Sequence, residues 1–236
     1  HHVGEGDTLA HSMSPRNLLT TTITDELRLA TNMASRGYGV AIKDRSSILP
    51  AGHLANGAYW LDDSTGTFGS SSYYEQPYPG WLKAFNARHV ADSLAKQPWT
   101  LLYPIDKYAQ SIVDDNIYEK SFKGEKAPAF PHDISGLTGK SRYNALKSFP
   151  AGNALTFVMA KACLEGEGLG AGKATDFLCV SLSSTDYTGH QFGPNSVEVE
   201  DVYLRLDREI ADFLRYLDGK VGKGNYLFFL TADHGA

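Results

Sequence analysis

Only two cysteines, Cys163 and Cys179, occur among the 236 residues, too few for a disulfide framework or a thiolate metal cluster. Their pairing is open on the sequence alone. No apolar run approaches the ~18 residues that a membrane span needs. Basic residues are outnumbered: 22 Lys and Arg against 27 Asp and Glu leave a net charge of -5 and a pI near 5.9. That balance argues against a protein that works by coating nucleic acid. Internal repeats and low-complexity tracts are absent as well. What remains is an ordinary globular composition, 42% hydrophobic and 21% charged, long enough for one large or two small domains. The chain opens on His1-His2 without an initiator Met and stops at Asp233-His234-Gly235-Ala236, straight after an apolar stretch. It therefore reads as an interior piece of something longer.

Residues 1–19 lack apolar periodicity and read as an irregular lead-in. Helical spacing of Ile23, Leu27, Ala30 and Met33 predicts a helix from Thr20 to Ala34, with Asp25 and Glu26 in its first turns. A short buried strand follows at Tyr38–Ile42, then a hairpin of Ala58–Asp62 and Gly66–Phe68 around Asp63-Ser64-Thr65-Gly66. Trp81–Ala95 reads as one helix, and residues 96–150, rich in proline and aromatics, as an ordered but irregular excursion. A helix at Asn153–Leu164 ends in the glycines 166, 168, 170 and 172. A strand at Asp176–Leu182, a long helix at Val197–Lys220 and a strand at Tyr226–Thr231 complete the pattern. Strand, long helix, strand is a βαβ unit of a parallel sheet.

The glycine run ending in Gly172-Lys173 is not a phosphate-cradling loop. Glu167 stands where the motif needs Gly, Ala174 where it needs Ser or Thr, and the run precedes a strand instead of following one. Metal-type side chains concentrate elsewhere. Asp186 and His190 follow the strand that ends at Leu182, and Asp233 and His234 follow the strand expected at 226–231. Residues just past strand carboxyl ends line the crevice of an open parallel sheet, so two carboxylates and two imidazoles are expected to converge on one edge. Nitrogen and oxygen donors together suit zinc or another first-row divalent ion. Asp186 and His190, four apart, share a face of a helical turn. Asp233 and His234 share an ion only if the chain turns sharply, which Gly235 permits. One such pair alone is ordinarily a salt bridge or cap; two at two strand ends favour a metal site. In the segment Ala41–Pro50, alternation sets Lys43 and Arg45 on one side and Asp44 on the other. Two neighbouring cations in a cleft face an anion, and their shapes suit phosphate oxygens. A solvated loop with scattered charges is the plainer reading of that motif.

Asp186-x-x-Gly189-His190-x-x-Gly193-Pro194, followed by Ala232-Asp233-His234-Gly235, resembles the alkaline phosphatase superfamily in its type I phosphodiesterase/nucleotide pyrophosphatase-like branch. Further segments carry the likeness toward the phosphate-irrepressible alkaline phosphatases, broad phosphate monoesterases. They are Met13–Leu18, Lys43–His53, Ser184–Tyr187 through Arg205–Arg208, and Gly222–Leu227. The resemblance implies an α/β fold, with a mostly parallel central sheet flanked by helices and a cap-like insertion at 96–150. Residues 1–236 would then be one segment of the catalytic domain, its N- and C-terminal parts lying outside the chain. It also implies two Zn2+ ions, one held by Asp186 and His190 and the other by Asp233 and His234. Lys43 and Arg45 would hold the non-bridging oxygens of the phosphoryl group. The nucleophile, a Thr or Ser, is not in this chain; it and the family's first Asp ligand would precede residue 1, and a third His ligand would follow residue 236. The polypeptide alone is therefore expected to be inactive, while its longer parent hydrolyses small-molecule phosphate monoesters through a covalent phospho-Thr/Ser intermediate. The implied compartment is the periplasm or the exterior, with no nucleic-acid partner and an oligomeric state left open.

Three alternatives remain at this point. A phosphodiesterase or nucleotide pyrophosphatase shares the metal motif, and a sulfatase would carry its signature upstream. The third is a non-catalytic, metal-binding relic of the fold, which would also lack a nucleophile. His11, His53, His89 and His132 have no ligand-like neighbours in sequence and read as structural or surface residues. Trp99, Tyr103, Tyr108 and Tyr118 read as packing before capping.

Overall fold

In a computed structural model of the chain, the described residues are 2–3, 13–74 and 77–234. They form two compact units, residues 1–90 with 155–182 and residues 91–154 with 183–236.

The first unit is built on a five-stranded sheet of β1 (His2–Val3), β2 (Gly37–Ala41), β3 (Gly57–Leu61), β4 (Phe68–Ser71) and β5 (Phe177–Ser181), ordered β1-β4-β3-β2-β5. Its centre is parallel, β2 pairing with both β3 and β5. At the edge, β4 runs antiparallel to β3, and β1 antiparallel to β4. Every residue of β2 and β3 is buried, which is why they read as continuous apolar runs and not as alternating ones. The expected α/β class is therefore observed, with an antiparallel edge.

The helix expected over 20–34 is shorter, α1 (Ile23–Ala30). Thr22 starts it with a reciprocal capping box: its hydroxyl accepts from the Asp25 N–H at 3.2 Å, and Asp25 accepts from the Thr22 N–H at 3.0 Å. Asn32 and Met33, at φ 51° and 64°, leave the helical region and end it. Asp25 also accepts from Leu54 N at 2.6 Å. Burial alone would raise its carboxyl, but these backbone donors hold it below the usual range.

The alternation expected at Ala41–Pro50 is overturned. The segment is a helix, α2 (Asp44–Ala51), with Lys43 as its N-cap at φ -95° and ψ 134°. Tertiary mounting explains this: the Ser47 hydroxyl donates to the Gly39 carbonyl at 2.9 Å, and Ile48 and Ala51 pack with Ala58 and Trp60. A Cβ on Gly39 would lie 2.2 Å from the Ser47 carbonyl oxygen, so the close approach of helix to strand requires glycine there.

The glycine run that precedes β5 is a held connection. Asp176 accepts from Arg36 N at 2.8 Å, from Arg36 Nη2 at 2.9 Å and from Gly170 N at 2.9 Å, while Arg36 Nη2 also donates to Gly168 O at 2.7 Å. Burial works to raise the Asp176 carboxyl, but the Gly170 N–H and the Arg36 guanidinium and N–H together lower it. Cys163 is a buried thiol, and burial pushes the thiol of Cys179 up to about 11.

The helix expected over 81–95 is two helices, α3 (Gly80–Asn86) and α4 (Val90–Ala95), because His89 takes φ 46° and interrupts the ladder. In the second unit α5 (Gly139–Lys147) is followed by α6 (Pro150–Gly166), which runs on into the first unit, then α7 (Ser184–Phe192) and α8 (Val197–Leu217). Ser196 caps α8 by accepting from Val199 N at 3.2 Å. Residues 96–138 are irregular apart from one 3-10 turn at Ile105–Lys107. Aromatics organise them: Trp99 meets Phe130, His132, Phe149 and Phe192 edge-on or tilted at 5.2–6.1 Å. Trp99 and Tyr108 are buried, whereas Tyr103 and Tyr118 are exposed. Asp201 on α8, fully buried, gathers three donors from this region, Trp99 Nε1 (2.6 Å), Leu102 N (2.8 Å) and the Tyr108 hydroxyl, and a fourth from its own helix, Arg205 Nε (2.5 Å). Burial first, and then the Asp201 hydrogen bond, push the Tyr108 phenol up to about 12.

The strand expected at Tyr226–Thr231 does not form among the described residues. A strand exists through ladder pairing, and residues 226–232 pair with none; Leu227, Phe228, Phe229 and Leu230 are 41–87% exposed. The βαβ unit expected to end there is therefore not closed, and α8 instead finishes in a π-helical turn at Asp218–Gly222.

Two outcomes test this description. Gly39→Ala is expected to cost about 1–3 kcal/mol by overpacking α2 against β2, read as a lower urea midpoint with an unchanged m-value. The stability that Asp176 supplies is complete above its unfolded value near 3.8 and is lost as pH falls through the lowered folded value. Asp176→Asn should therefore flatten the drop in urea midpoint between about pH 6 and pH 3.

Candidate metal and phosphate site

Asp186 and His190 both sit on α7, one helical turn apart, so the i,i+4 geometry brings their side chains together on one face. His190 Nε2 lies 3.2 Å from Asp186 Oδ1. The same carboxylate oxygen is 3.5 Å from His234 Nε2. His234 Nε2 is 3.8 Å from Asp233 Oδ2. All four residues expected to ligate metal thus gather within the second unit, and the chain bends at Asp233-His234 so that the adjacent pair shares a side. Gly235, expected to permit that turn, lies outside the described residues. The Asp186 side chain is mostly buried, 21% exposed, while His190 and His234 are open at 76% and 56%. A shielded anion flanked by two accessible imidazoles is a donor set that an ion could reach from solvent.

Lys43 and Arg45 belong to the first unit, at the end of α2 that follows β2. Lys43 is half-buried and Arg45 exposed. A helix N-terminus carries partial positive charge, so two cations in this position are disfavoured by roughly 0.3–1 kcal/mol each unless an anion faces them. Asp44, the first helical residue, supplies part of that compensation.

Two features escaped the sequence reading. His132, read there as structural or surface, is fully buried, and its partners are carboxylates: Nδ1 lies 3.2 Å from Glu125 Oε1 and Nε2 lies 3.1 Å from Glu198 Oε1. Burial lowers its pKa, but the Glu198 hydrogen bond and the charge of Glu125 outweigh it, and the net shift is upward. Beside it, Asp114, Glu119 and Glu198 form an acidic cluster in which one carboxylate oxygen from each lies within 4.8 Å of the others, a grouping able to hold a metal ion. Burial, then the Glu198 and Asp114 charges, raise the Glu119 carboxyl. Nothing in the spacing announces this, since Glu198 is 66 positions from His132. Of the other histidines, His53 Nε2 lies 3.0 Å from the Leu18 carbonyl, consistent with a structural residue, and His11 lies outside the described residues. A cavity of about 290 Å³ lined by Trp99, Phe149, Arg205, Arg208 and Glu209 contains none of the six expected site residues. No described helix is long and apolar enough to cross a membrane.

A parallel-centred α/β sheet with two aspartate–histidine pairs placed after β5 and after α8 defines a class, and comparison with known proteins supplies its name. The chain belongs to the type I phosphodiesterase / nucleotide pyrophosphatase family, whose sequence profile matches residues 37–236. It is 57% identical over 235 residues to a protein of Myroides odoratus named calcium-transporting ATPase, covering 99% of this chain and 42% of that one. It is 56% identical over 224 residues to the alkaline phosphatase PhoV of Synechococcus elongatus, covering 95% and 40%. The crystal structure of the wild-type alkaline phosphatase PafA superposes with a TM-score of 0.90 at 49% identity, covering 98% of this chain and 45% of that one. The chain thus spans less than half the length of the relatives it matches.

Proposed function

We propose that this chain is a segment of the catalytic domain of an alkaline phosphatase-type phosphomonoesterase. In this reading Asp186 and His190 hold one Zn2+, and Asp233 and His234 hold the other. The observation that carries it is the closeness of the donors within each pair, Asp186 Oδ1 to His190 Nε2 at 3.2 Å and Asp233 Oδ2 to His234 Nε2 at 3.8 Å, with the two pairs adjoining where Asp186 Oδ1 lies 3.5 Å from His234 Nε2. Donors 2.0–2.2 Å from a tetrahedral zinc lie about 3.4 Å from each other, a spacing that supports the reading. Bound there, zinc supplies Lewis-acid stabilisation of the oxygens that gain charge during phosphoryl transfer.

The chain's own residues would do the rest. Lys43 and Arg45 bind and orient the phosphoryl group through its non-bridging oxygens. A dianionic monoester also supplies the anion that makes two cations tolerable at the start of α2. Asp186, with little exposure to water, presents its carboxylate toward both imidazoles. The attacking Thr or Ser of the covalent intermediate belongs to sequence outside residues 1–236. The names of the relatives agree at the level of chemistry, since a phosphatase and an ATPase both transfer a terminal phosphoryl group to water. The periplasm or the exterior is the compartment proposed with this activity, and small-molecule phosphate monoesters are the substrates.

A second reading, hydrolysis of phosphodiesters or nucleotide pyrophosphates, is favoured by the family's own description. A diester carries a substituent where a monoester presents a charged oxygen, so the cations discriminate. In the longer protein, Lys43→Ala with Arg45→Ala is expected to lower kcat/KM for monoesters by about 10²–10³ and for diesters far less; the opposite pattern establishes the diesterase. Zn2+ titration of the 236-residue chain should show binding that Asp186→Asn weakens at least tenfold, with no phosphatase turnover by the isolated chain. Zinc binding indifferent to Asp186→Asn would remove the metal assignment, and turnover by the isolated chain would remove the external nucleophile.

A further inference from the structure

The acidic cluster of the second unit shares no residue with the site proposed above, and its atoms are arranged to receive something. Each of its three carboxylates is fixed by one oxygen. Asp114 Oδ2 accepts from Phe130 N at 3.2 Å, Glu119 Oε2 from Asn116 N at 2.7 Å, and Glu198 Oε1 lies 3.1 Å from His132 Nε2. The other oxygen of each, Asp114 Oδ1, Glu119 Oε1 and Glu198 Oε2, is shielded from water and has no hydrogen-bond partner. Glu198 is 0% exposed and Glu119 8%. Buried carboxylate oxygens without donors are destabilising, and the closeness of the three carboxylates adds repulsion. Such a group persists where a cation neutralises it.

The donor set identifies the cation's class. All three donors are carboxylate oxygens. His132 offers no nitrogen, since both of its ring nitrogens face carboxylates, Glu125 and Glu198. Glu125 is itself held by Phe122 N at 2.9 Å and Asp133 N at 3.1 Å. Oxygen-only sites select hard ions over zinc or copper. Carboxylate oxygens within 4.8 Å of one another leave room for the 2.3–2.6 Å contacts of calcium, whose flexible coordination suits irregularly placed carboxylates better than the near-ideal octahedron that magnesium demands.

We propose that Asp114, Glu119 and Glu198 bind a structural Ca2+ ion that fastens the irregular 111–120 segment to the first turn of α8. The surrounding bonds run the same way. Ile112 N donates to Asn195 O at 2.8 Å, Lys120 N to Gln191 O at 3.0 Å, and Gln191 Nε2 back to Lys120 O at 2.9 Å. Gln191 is the neighbour of His190 on α7, so the ion braces the helix that presents Asp186 and His190.

The test uses the 236-residue chain freed of metal by a chelator and melted with Ca2+, Mg2+ or Zn2+ added. Ca2+ is expected to raise Tm by about 5–10 °C at a hundredfold excess over its Kd, with one site by calorimetry. Asp114→Asn, a half-exposed and isosteric change, should abolish most of that shift. Asp186→Asn should leave it intact, which separates this ion from the zinc assignment. No calcium-dependent shift in the wild type, or an undiminished one in Asp114→Asn, overturns the proposal. So does a metal-free Asp114→Asn or Glu119→Gln chain as stable as the calcium-loaded wild type, since the carboxylates would then be sharing protons.

Discussion

Asp201 carries its carboxylate on α8 with no access to water, and the chain around it is arranged to supply donors. Trp99, Leu102, Tyr108 and Arg205 come from two stretches about a hundred residues apart and meet at those two oxygens. The same constraint recurs at Asp25, which backbone N–H groups surround, and at Asp176, which Arg36 and Gly170 enclose. A buried charge demands complete pairing, and in this protein that demand fixes segments whose backbones form no regular structure. The 96–138 region has little helix and no strand, but its path is determined where it meets Asp201 and the aromatic group around Trp99.

That constraint explains which parts of the structure were legible in the sequence. Elements specified locally were read with small errors of boundary: β2 as an apolar run, β3 as the first strand of a hairpin whose second strand begins later than expected, at Phe68, and α8 as a long helix from Val197. Errors fell where a distant partner decides. Lys43 to Pro50 carries no helical signature of its own and becomes helical because Ser47 and Ile48 find β2 and β3. Trp81 to Ala95 keeps an unbroken pattern, but His89 takes a left-handed conformation. Tyr226 to Thr231 has the composition of a strand and lacks a ladder.

The candidate site divides along the same line. Asp186 and His190 were visible because their spacing of four is a property of one helical turn. Their approach to His234 depends on the fold: convergence was expected from two strand ends, and the second of those strands, at 226–231, does not form among the described residues. His132, Glu125 and Glu198 left no trace, because Glu125 and His132, 7 apart, lie in irregular chain where no period applies, and Glu198 is 66 residues away on α8. Only the three-dimensional structure shows that this histidine lies between two carboxylates.

The mounting of α2 has a bearing on how such a site changes over evolutionary time. Gly39, Ser47, Ile48 and Ala51 hold the helix against the sheet and tolerate little variation in volume. Lys43 and Arg45 stand at the end of that helix, neither of them fully buried. Charge at that helix end is thereby uncoupled from the packing beneath it: either cation can be exchanged for a neutral residue while the strand–helix contact stays constant.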